Sequence, residues 1–449
     1  MRFASFPNHS DVFDVASLEG AIERDPWLCF SAATVANQTP LLKRIWGNKV
    51  AEPMYDECKL YAMAKKDTNF GGEGRYVTVN VTPIAGVSAS MPDAVASQAA
   101  SITVRFFVSH RKEYAVWSLQ NDIIERTKGN ANAVLEIVKK ELDMARRAFA
   151  RRMANRMYGS AGGCAAQLST ATNLATTTAT VTNRTDMMYL DKNMQLEFSS
   201  ANGTLSTATR NADLRGGVNP VFLTINSVNR DAGTFVTNAV LNTVPGITNS
   251  DFIANRGDYA NAMTGAQGWN PYTAPTTGDN FMGYDRSGDD VQRVSGVRVS
   301  GAGKTMLETL EDAGGEAKLN GLSGERVLCI NPLDMVRFRK EISAMGQINM
   351  ADVSGGDKGF KYSFKAVKVD SQIGELTILV ETGVTKGFAW LLDASEIYIR
   401  STSEIPKDIS GQNGLLTDYT DDARQGRIGA YGNIFFENPG VHVIISWLT

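Results

Sequence analysis

The chain has 449 residues, of which 43% are hydrophobic and 21% charged, a composition typical of a globular protein rather than a disordered one. This length exceeds what one hydrophobic core supports, so we expect about two to four domains. The 45 Lys and Arg residues against 48 Asp and Glu give a formal net charge of −3, which excludes a strongly basic protein that binds nucleic acid over its whole surface.

The chain begins "MRFASFPNHSDVFDV", which has no continuous apolar stretch after Arg2 and therefore does not fit a signal peptide. No later stretch approaches the ~18 consecutive apolar residues that predict a membrane-spanning helix. We therefore expect no contact with a membrane.

Two runs, "GRYVTVNVTP" from residue 74 and "SITVRFFVSH" from residue 101, alternate apolar and polar residues as half-buried strands do. The stretch between them is too long for a tight hairpin turn. An isolated two-stranded ribbon is marginal in water, so its apolar face must rest on the same chain or on a neighbouring molecule. The apolar positions that share this face are Val77, Val79, Val81, Ile102, Val104 and Phe106.

The clearest helix is predicted from Asn132, a typical N-cap, to Met157, shortly before Gly159. Its apolar residues recur at steps of three and four and form one stripe: Val134, Val138, Leu142, Ala145, Phe149, Met153 and Met157. Arginines concentrate in its second half, among them Arg147, Arg151 and Arg152. These could face nucleic acid, but the charge pattern alone favours a solvated helix face.

A change of composition follows the helix. From Ser160 to Tyr284 only 14 of 125 residues are charged, about half the frequency of the whole chain. The runs "PVFLTINSV" and "GTFVTNAVL" flank the short turn "NRDAG", which predicts a hairpin. We interpret this region as a small inserted β domain.

The run "VRVSGAGKTMLETL", from residue 297, is similar to the phosphate-binding loop of an ATPase. That loop requires Gly-x-x-x-x-Gly-Lys-Ser/Thr, so with Gly303 and Lys304 in place the first glycine would fall at position 298, where Arg298 stands. The strand "RVLCINP" ends in Asn331 and Pro332 instead of a magnesium-binding aspartate. A glycine turn that begins an ordinary helix is the better interpretation.

The rest of the chain predicts a mixed α and β region and no reactive centre. "NPLDMVRFRKEISAM" predicts a further helix, and "GELTILVE", "GFAWLLD" and "SEIYIRS" predict strands. The end, "RIGAYGNIFFENPGVHVIISWL", predicts a strand pair with a turn at Asn438–Gly440. The three histidines, His9, His110 and His442, stand far apart, so we predict no catalytic residue, metal ligand or cofactor site.

The serial order of these elements resembles the major capsid proteins of tailed bacteriophages. The resemblance rests on "GEGRYVTVNV" through "SITVRFFVSH", the helix ending "RMANRMYGSAGG", the helix, strand and helix "LETLEDAGG…RVLCINPLDMVRF", and the ending "AYGNIFFENPGV". It implies an α+β fold with an N-terminal arm (1–72), an extended loop (73–118), a peripheral domain with a spine helix (119–163), an inserted β domain (164–283), a central α/β domain (284–400) and a C-terminal return to the peripheral domain (401–449).

The resemblance implies a structural protein, not an enzyme, that assembles into hexamers and pentamers of an icosahedral capsid around the phage genome. Assembly would take place in the host cytoplasm. Implied partners are further copies of the chain, a separate scaffolding protein, a portal, and double-stranded DNA held by weak non-specific contacts; decoration proteins are left open. The six ribbon residues would contact an adjacent subunit, and Arg147, Arg151 and Arg152 would face the lumen.

Two other classes of function stay open. A cellular nanocompartment shell of similar fold, holding enzyme cargo, is disfavoured by the added β domain and by the chain length. An enzyme with a phosphate-binding loop is disfavoured by Arg298 and by the missing acidic strand end.

Overall fold

The structure is a computed structural model that describes residues 58–126, 131–160, 162–202, 210, 222–259, 261–288, 290–321, 326–344, 368–371, 374–409, 416–417 and 422–447. For residues 124–126, 131–137, 368–371, 374–375 and 417 the description covers the backbone alone. Most of the arm expected at 1–72, and the side chains of Asn132 and Val134, lie outside the described part of the chain.

The elements are numbered in chain order. The helices are α1 (Lys59–Met63), α2 (Met91–Ala96), α3 (Asn121–Arg126), α4 (Ala131–Tyr158), α5 (Ala266–Trp269), α6 (Val291–Ser295), α7 (Met306–Leu319) and α8 (Pro332–Ala344). The strands are β1 (Lys65–Asp67), β2 (Gly74–Thr82), β3 (Ile102–Ser109), β4 (Arg111–Gln120), β5 (Cys164–Gln167), β6 (Thr178–Thr180), β7 (Gln195–Ser199), β8 (Leu223–Asn229), β9 (Thr234–Thr237), β10 (Phe252–Asn255), β11 (Asn280–Phe281), β12 (Tyr284–Asp285), β13 (Val297–Ser300), β14 (Arg326–Ile330), β15 (Lys368–Ser371), β16 (Gly374–Val380), β17 (Phe388–Asp393), β18 (Ile397–Ser401), β19 (Lys407–Asp408), β20 (Leu416–Thr417), β21 (Ala423–Phe436) and β22 (Val443–Ser446).

Helix α4, the spine helix, confirms the predicted helix almost to the residue. Its 28 residues make a rod of roughly 42 Å at ~1.5 Å per residue. The predicted stripe is buried where its side chains are described, with Ala145 half-buried and the others fully covered: Val138, Leu142, Phe149, Met153 and Met157. The regular spacing of these residues gives the helix one continuous face to pack against the sheet that contains β4.

The spine helix packs on a peripheral sheet with the strand order β1-β18-β21-β19, to which β4 and β20 add by pairing with β21. Strand β4 pairs along ten residues of β21, from Arg111 opposite Gly432 to Gln120 opposite Ala423. This pairing joins β4, which precedes the spine helix, to β21, near the end of the chain, in a single sheet.

A central sheet has the order β13-β22-β17-β14-β16-β15. Helices α7 and α8 cover one face of it, and that face forms a core of its own with Leu328, Leu391 and Ile445. Helix α7 begins at a capping box in which the Thr305 side chain and the Glu308 side chain each bond to the other residue's backbone N–H. The opposite face, with Cys329 and Trp390, joins the core that contains the spine helix.

The region after the spine helix forms a third sheet, β5-β10-β7-β8-β9-β6, and the predicted hairpin is confirmed as β8 and β9. Its core is separate and runs from Ala166 to Ile253. Later residues of the predicted insert, from Met263 to Phe281, pack into the main core instead. Gly265 permits this, since a Cβ there would lie 2.0 Å from the carbonyl oxygen of Arg156.

The end of the chain differs from the expectation. Strand β21 returns to the peripheral sheet as predicted, but β22 lies between β13 and β17 in the central sheet. The predicted strand pair is therefore wrong, because the turn at Pro439–Val441 passes the chain from one sheet to the next. Residues Val443, Ile444 and Ile445 are all buried, which suits a central strand covered on both faces.

Candidate subunit interface

The ribbon formed by β2 and β3 is the first element expected to contact another molecule. The two strands pair antiparallel, with Val77 opposite Phe106 and Val79 opposite Val104. A register shift between Asn80 and Thr82 leaves Val81 as the extra residue at the distal end. The predicted alternation is confirmed, and it turns the apolar side chains to one face of the ribbon.

The predicted partner of this face is corrected by the structure. Five of the six residues are buried within the same chain, in the main core: Val77, Val79, Val81, Val104 and Phe106. Phe106 is 0% exposed and meets Trp269, Phe281 and Tyr284 edge to face, with ring centroids 5.7 to 6.0 Å apart. The chain thus supplies the cover that the sequence assigned to a neighbour.

The residues that pack on the apolar face of the ribbon come from the segment 263–282, which follows the separate core of the third sheet. One hydrogen bond joins this segment to the ribbon, from the Phe107 N–H to the Met282 carbonyl (2.9 Å), and another joins it to β21, from the Trp269 indole Nε1–H to the Ile434 carbonyl (3.0 Å). Sequence reasoning assigned this segment to the inserted domain. The aromatic residues Trp269 and Phe281, in a region otherwise rich in Thr, Ser and Asn, were the signal that it belongs to a core.

The distal end of the ribbon is the exposed part. Ile102, the sixth predicted contact residue, is 48% exposed because it lies beyond the edge of the supporting core. The connection between the strands, including α2, adds further exposed apolar side chains: Ile84, Val87, Met91 and Val95. We call these five residues the ribbon tip. Five exposed apolar residues within one ribbon and its connection make this end a candidate interaction site.

The spine helix carries a buried cluster of four charges. Arg156 donates to Glu113 (2.8 Å) and to Asp258 (2.7 Å), and Arg152 pairs with the same two carboxylates. Arg156 also donates to the Gly163 carbonyl (3.0 Å). The cluster joins β4, the spine helix and the loop after β10, so it fixes the position of the insert on the spine.

The three arginines predicted to face the lumen differ in their contacts, and the direction they face in a shell stays a prediction. Arg152 is committed to two carboxylates, whereas Arg147 and Arg151 are exposed on the helix surface. Burial raises the pKa of the Glu113 carboxyl, and the charges of Arg156 and Arg152 more than offset it, so that the pKa lies below its usual value. The signal for this cluster was the alternation of β4, which puts Glu113 on the buried face of Trp117 and Leu119.

The loop that is similar to a phosphate-binding loop is occupied by its own contacts. Lys304 Nζ donates to Asp312 (2.6 Å), in the second turn of α7. Arg298, which stands where a glycine would be required, donates to the Pro271 carbonyl (2.8 Å). Neither side chain is directed at an open ring of backbone N–H groups. The interpretation as a glycine turn and a helix start therefore describes the local structure.

A buried carboxyl lies where the first described residues meet the central sheet. Glu381, directly after β16, accepts from the Lys59 backbone N–H (2.8 Å), and no described residue hydrogen-bonds its buried Oε2. Cys58, Tyr158 and Cys329 face it. Burial raises the pKa of Glu381 to about 7, although the backbone N–H groups at Lys59 and Leu60 oppose the shift.

A pH dependence of stability follows from Glu381. Its folded-state pKa is raised above the unfolded value, so the native state holds the proton more tightly and the stabilisation is lost as pH rises through about 7. We expect Glu381→Gln to reduce the fall in melting temperature between pH 5 and pH 8, measured as the difference from the wild type at each pH.

Two other buried titratable groups, Asp186 and His442, also affect stability in this pH range and serve as controls. Burial raises the pKa of Asp186 to about 7 as well, so Asp186→Asn should remove a separate part of the same fall. Burial lowers the pKa of His442 to about 4, so its contribution is lost as pH falls and has the opposite slope. Equal pH profiles for the wild type and Glu381→Gln would contradict the assignment.

Within the described ranges, no helix has the length and apolar character needed to cross a membrane. The same residues contain no group of three or more His, Cys, Asp or Glu side chains placed to hold a metal ion. The notable features are instead surfaces and junctions: the ribbon tip, the spine and the layer of α7 and α8.

Comparisons with known proteins give no match by sequence, either to a family model or to a curated protein. The fold does match solved structures. The capsid asymmetric unit of cyanophage A-1(L) is similar with a TM-score of 0.52 at 11% identity, over 87% of this chain and 92% of the other. The capsid of a native GTA particle gives 0.45 at 10% identity, over 87% and 90%, and Gordonia phage Cozz gives 0.37 at 12%, over 88% and 87%.

The chain therefore has the fold of a capsid shell protein. More particularly, it has the α+β fold of tailed-phage major capsid proteins, which the order of ribbon, spine helix and central domain predicted.

Proposed function

We propose that this protein is the major capsid protein of a tailed bacteriophage and that its copies assemble into the hexamers and pentamers of an icosahedral capsid. The observation that carries the proposal is the fold shared with the cyanophage capsid subunit over nearly the full length of both chains. The proposed role is structural, without a catalytic step. A phosphate-binding function is opposed by the ion pair of Lys304 and the position of Arg298.

The parts of the chain acquire roles within this proposal. We assign 1–72 to the arm and the ribbon of β2 and β3, within 73–118, to the extended loop. Strand β4 and the spine helix, up to residue 163, belong to the peripheral domain together with β18 and the returning β21, and the rest of 284–400 forms the central domain together with β22. For the inserted domain, the separate core from Ala166 to Ile253 supports a unit shorter than 164–283. We propose that it assists folding of the subunit or lies on the outer surface.

The proposed partners are further copies of this chain, a separate scaffolding protein, a portal and packaged double-stranded DNA. Exposed Arg147 and Arg151, one helical turn apart, are the residues we assign to weak DNA contact from the lumen. The net charge of −3 supports a weak contact, because each neutralised phosphate adds salt-dependent affinity.

Electron microscopy of the purified protein tests the proposal. We expect closed shells with fivefold and sixfold capsomers, and particles isolated from infected cells should hold DNA. Shells filled with protein cargo would favour a nanocompartment, and the absence of any ring or shell would contradict a capsid role.

The ribbon tip gives a sharper test by mutation. Val87 is 80% exposed on the subunit, so Val87→Asp should leave the fold intact yet remove apolar burial from any contact made by the tip. We expect a folded subunit by circular dichroism and a loss of large particles in sedimentation. Ser88→Asp, at the next exposed position, is the matched control and should assemble. Normal shells from Val87→Asp would show that the tip does not form a contact.

A further inference from the structure

The exposed faces of the two helices that cover the central sheet differ in charge. On α7 three exposed residues at steps of three and four are acidic, namely Glu308, Glu311 and Asp312, and the stripe ends at the exposed Lys318 and at Leu319, which is 82% exposed. Lys304, just before the helix, pairs with Asp312, and together with Lys318 it offsets two of the three negative charges, so the excess is concentrated in the first half of the helix. We call this set the acidic stripe.

On α8 the exposed residues at positions i, i+3, i+4 and i+7 are apolar and then basic: Leu333, Val336, Arg337 and Lys340. Val336 is 49% exposed, and Arg337 lies 3.9 Å from the buried Asp334 carboxylate. Arg339 adds a further exposed cation beside this set. We call it the basic stripe.

The charged parts of the two stripes lie at the same end of the helix layer. The Met306 backbone N–H donates to both Glu341 carboxylate oxygens (3.0 and 3.1 Å), so the beginning of α7 lies beside the end of α8. The acidic residues of α7 and the basic residues of α8 are thus at one end of the helix layer. Leu319 and the pair Leu333 and Val336 are at the other end. The helices have similar lengths, roughly 20 Å each.

The stripes also belong to different parts of the layer. Helix α7 follows the edge strand β13 and packs over β13, β22 and β17, whereas α8 follows β14 on the other half of the sheet. A second subunit placed beside the first would bring its α8 next to the first subunit's α7. Carboxylates would then oppose cations, and Leu319 would oppose Leu333 and Val336.

From this complementarity we infer that the acidic stripe of one subunit binds the basic stripe of a second copy of the chain in a head-to-tail contact. In a pair of subunits joined head to tail, one acidic stripe and one basic stripe stay unoccupied. Further copies can bind to these stripes, and the assembly closes into a ring when the rotations between neighbouring copies add up to a full turn. This inference rests on the proposed function and names the surfaces that hold neighbouring central domains together. The charges would speed association and set the register, while the apolar ends exclude water.

Charge exchange on the full-length protein tests the contact. An acidic-side variant carries Glu311→Lys and Asp312→Lys, and a basic-side variant carries Arg337→Gln and Lys340→Glu. The acidic-side variant has an excess of positive charge on both stripes, and the basic-side variant has lost the excess of positive charge on α8, so neither variant alone has complementary stripes and we expect its ring-sized and shell-sized species in sedimentation to fall about tenfold or more. Mixed in equal amounts, the two variants should form ring-sized species again, and only with an even number of subunits, because they must alternate; hexamers are therefore expected, whereas pentamers and the closed shells that need them are not.

Both sides of the test have decisive outcomes. If the wild type forms no closed species, the proposed function fails. If the wild type assembles and either variant does so equally well, the stripes serve another partner and the inference alone is overturned. A folded pair of variants that does not assemble on mixing overturns it too. Lys340→Glu alone, at an exposed position, serves if the basic-side variant does not fold, and its expected loss should be relieved by the acidic-side variant.

Discussion

Phe106→Ala is expected to destabilise the subunit itself by about 3 to 5 kcal/mol, the range for truncating a fully buried Phe. The side chain is buried against Trp269, Phe281 and Tyr284, so its removal leaves a cavity inside one chain. Urea unfolding of dissociated subunits, followed by circular dichroism, should show a lower midpoint with little change in slope.

The comparison with Ile102→Ala makes this result specific. Ile102 lies on the same face of β3 but is about half exposed, so its truncation should cost the isolated subunit much less than that of Phe106. The alternative, in which the ribbon face packs on a neighbour, predicts the reverse: an unaffected subunit and a failed assembly for Phe106→Ala. Equal unfolding midpoints for the wild type and Phe106→Ala would support that alternative.

The same pair of residues shows how far sequence reasoning reaches. The period-two alternation predicted the two strands of the ribbon and the apolar face that they share, because it depends only on residues close in the chain. It could not predict which residues pack against this apolar face. Trp269 and Phe281 follow Phe106 by more than 150 residues in the sequence, and no periodic pattern connects positions so far apart. The spine helix was predictable for the same local reason, through the stripe that includes Leu142, Phe149 and Met153.

The end of the chain illustrates a second limit. Both β21 and β22 were predictable as strands from their apolar residues, and the turn from Pro439 and Gly440. Adjacent strands joined by a short turn usually pair, so a hairpin was the simpler topology. The insertion of β22 between β13 and β17 depends on which sheet offers an unfilled position, and that is a property of the tertiary arrangement.

The buried charges of the spine carry the second large effect. In Glu113→Ala, Arg156 and Arg152 would share Asp258 as their one remaining carboxylate partner. The side chain of Arg156 is only 3% exposed, so water cannot replace the lost carboxylate. Breaking a buried ion pair from one side costs about 3 to 5 kcal/mol, because the uncompensated charge stays out of water. We expect a loss of this order in the free energy of unfolding.

Two further variants separate charge balance from packing. Asp191→Ala breaks the pair with Arg230, whose side chains are about half exposed, and should cost less than about 1 kcal/mol. Glu113→Gln combined with Arg152→Gln removes one charge of each sign and leaves Arg156 paired with Asp258. That double variant should therefore be more stable than Glu113→Gln alone, a coupling that a double-mutant cycle measures directly. If the two changes add without coupling, the four side chains do not act as one cluster, and the insert is held on the spine by packing instead.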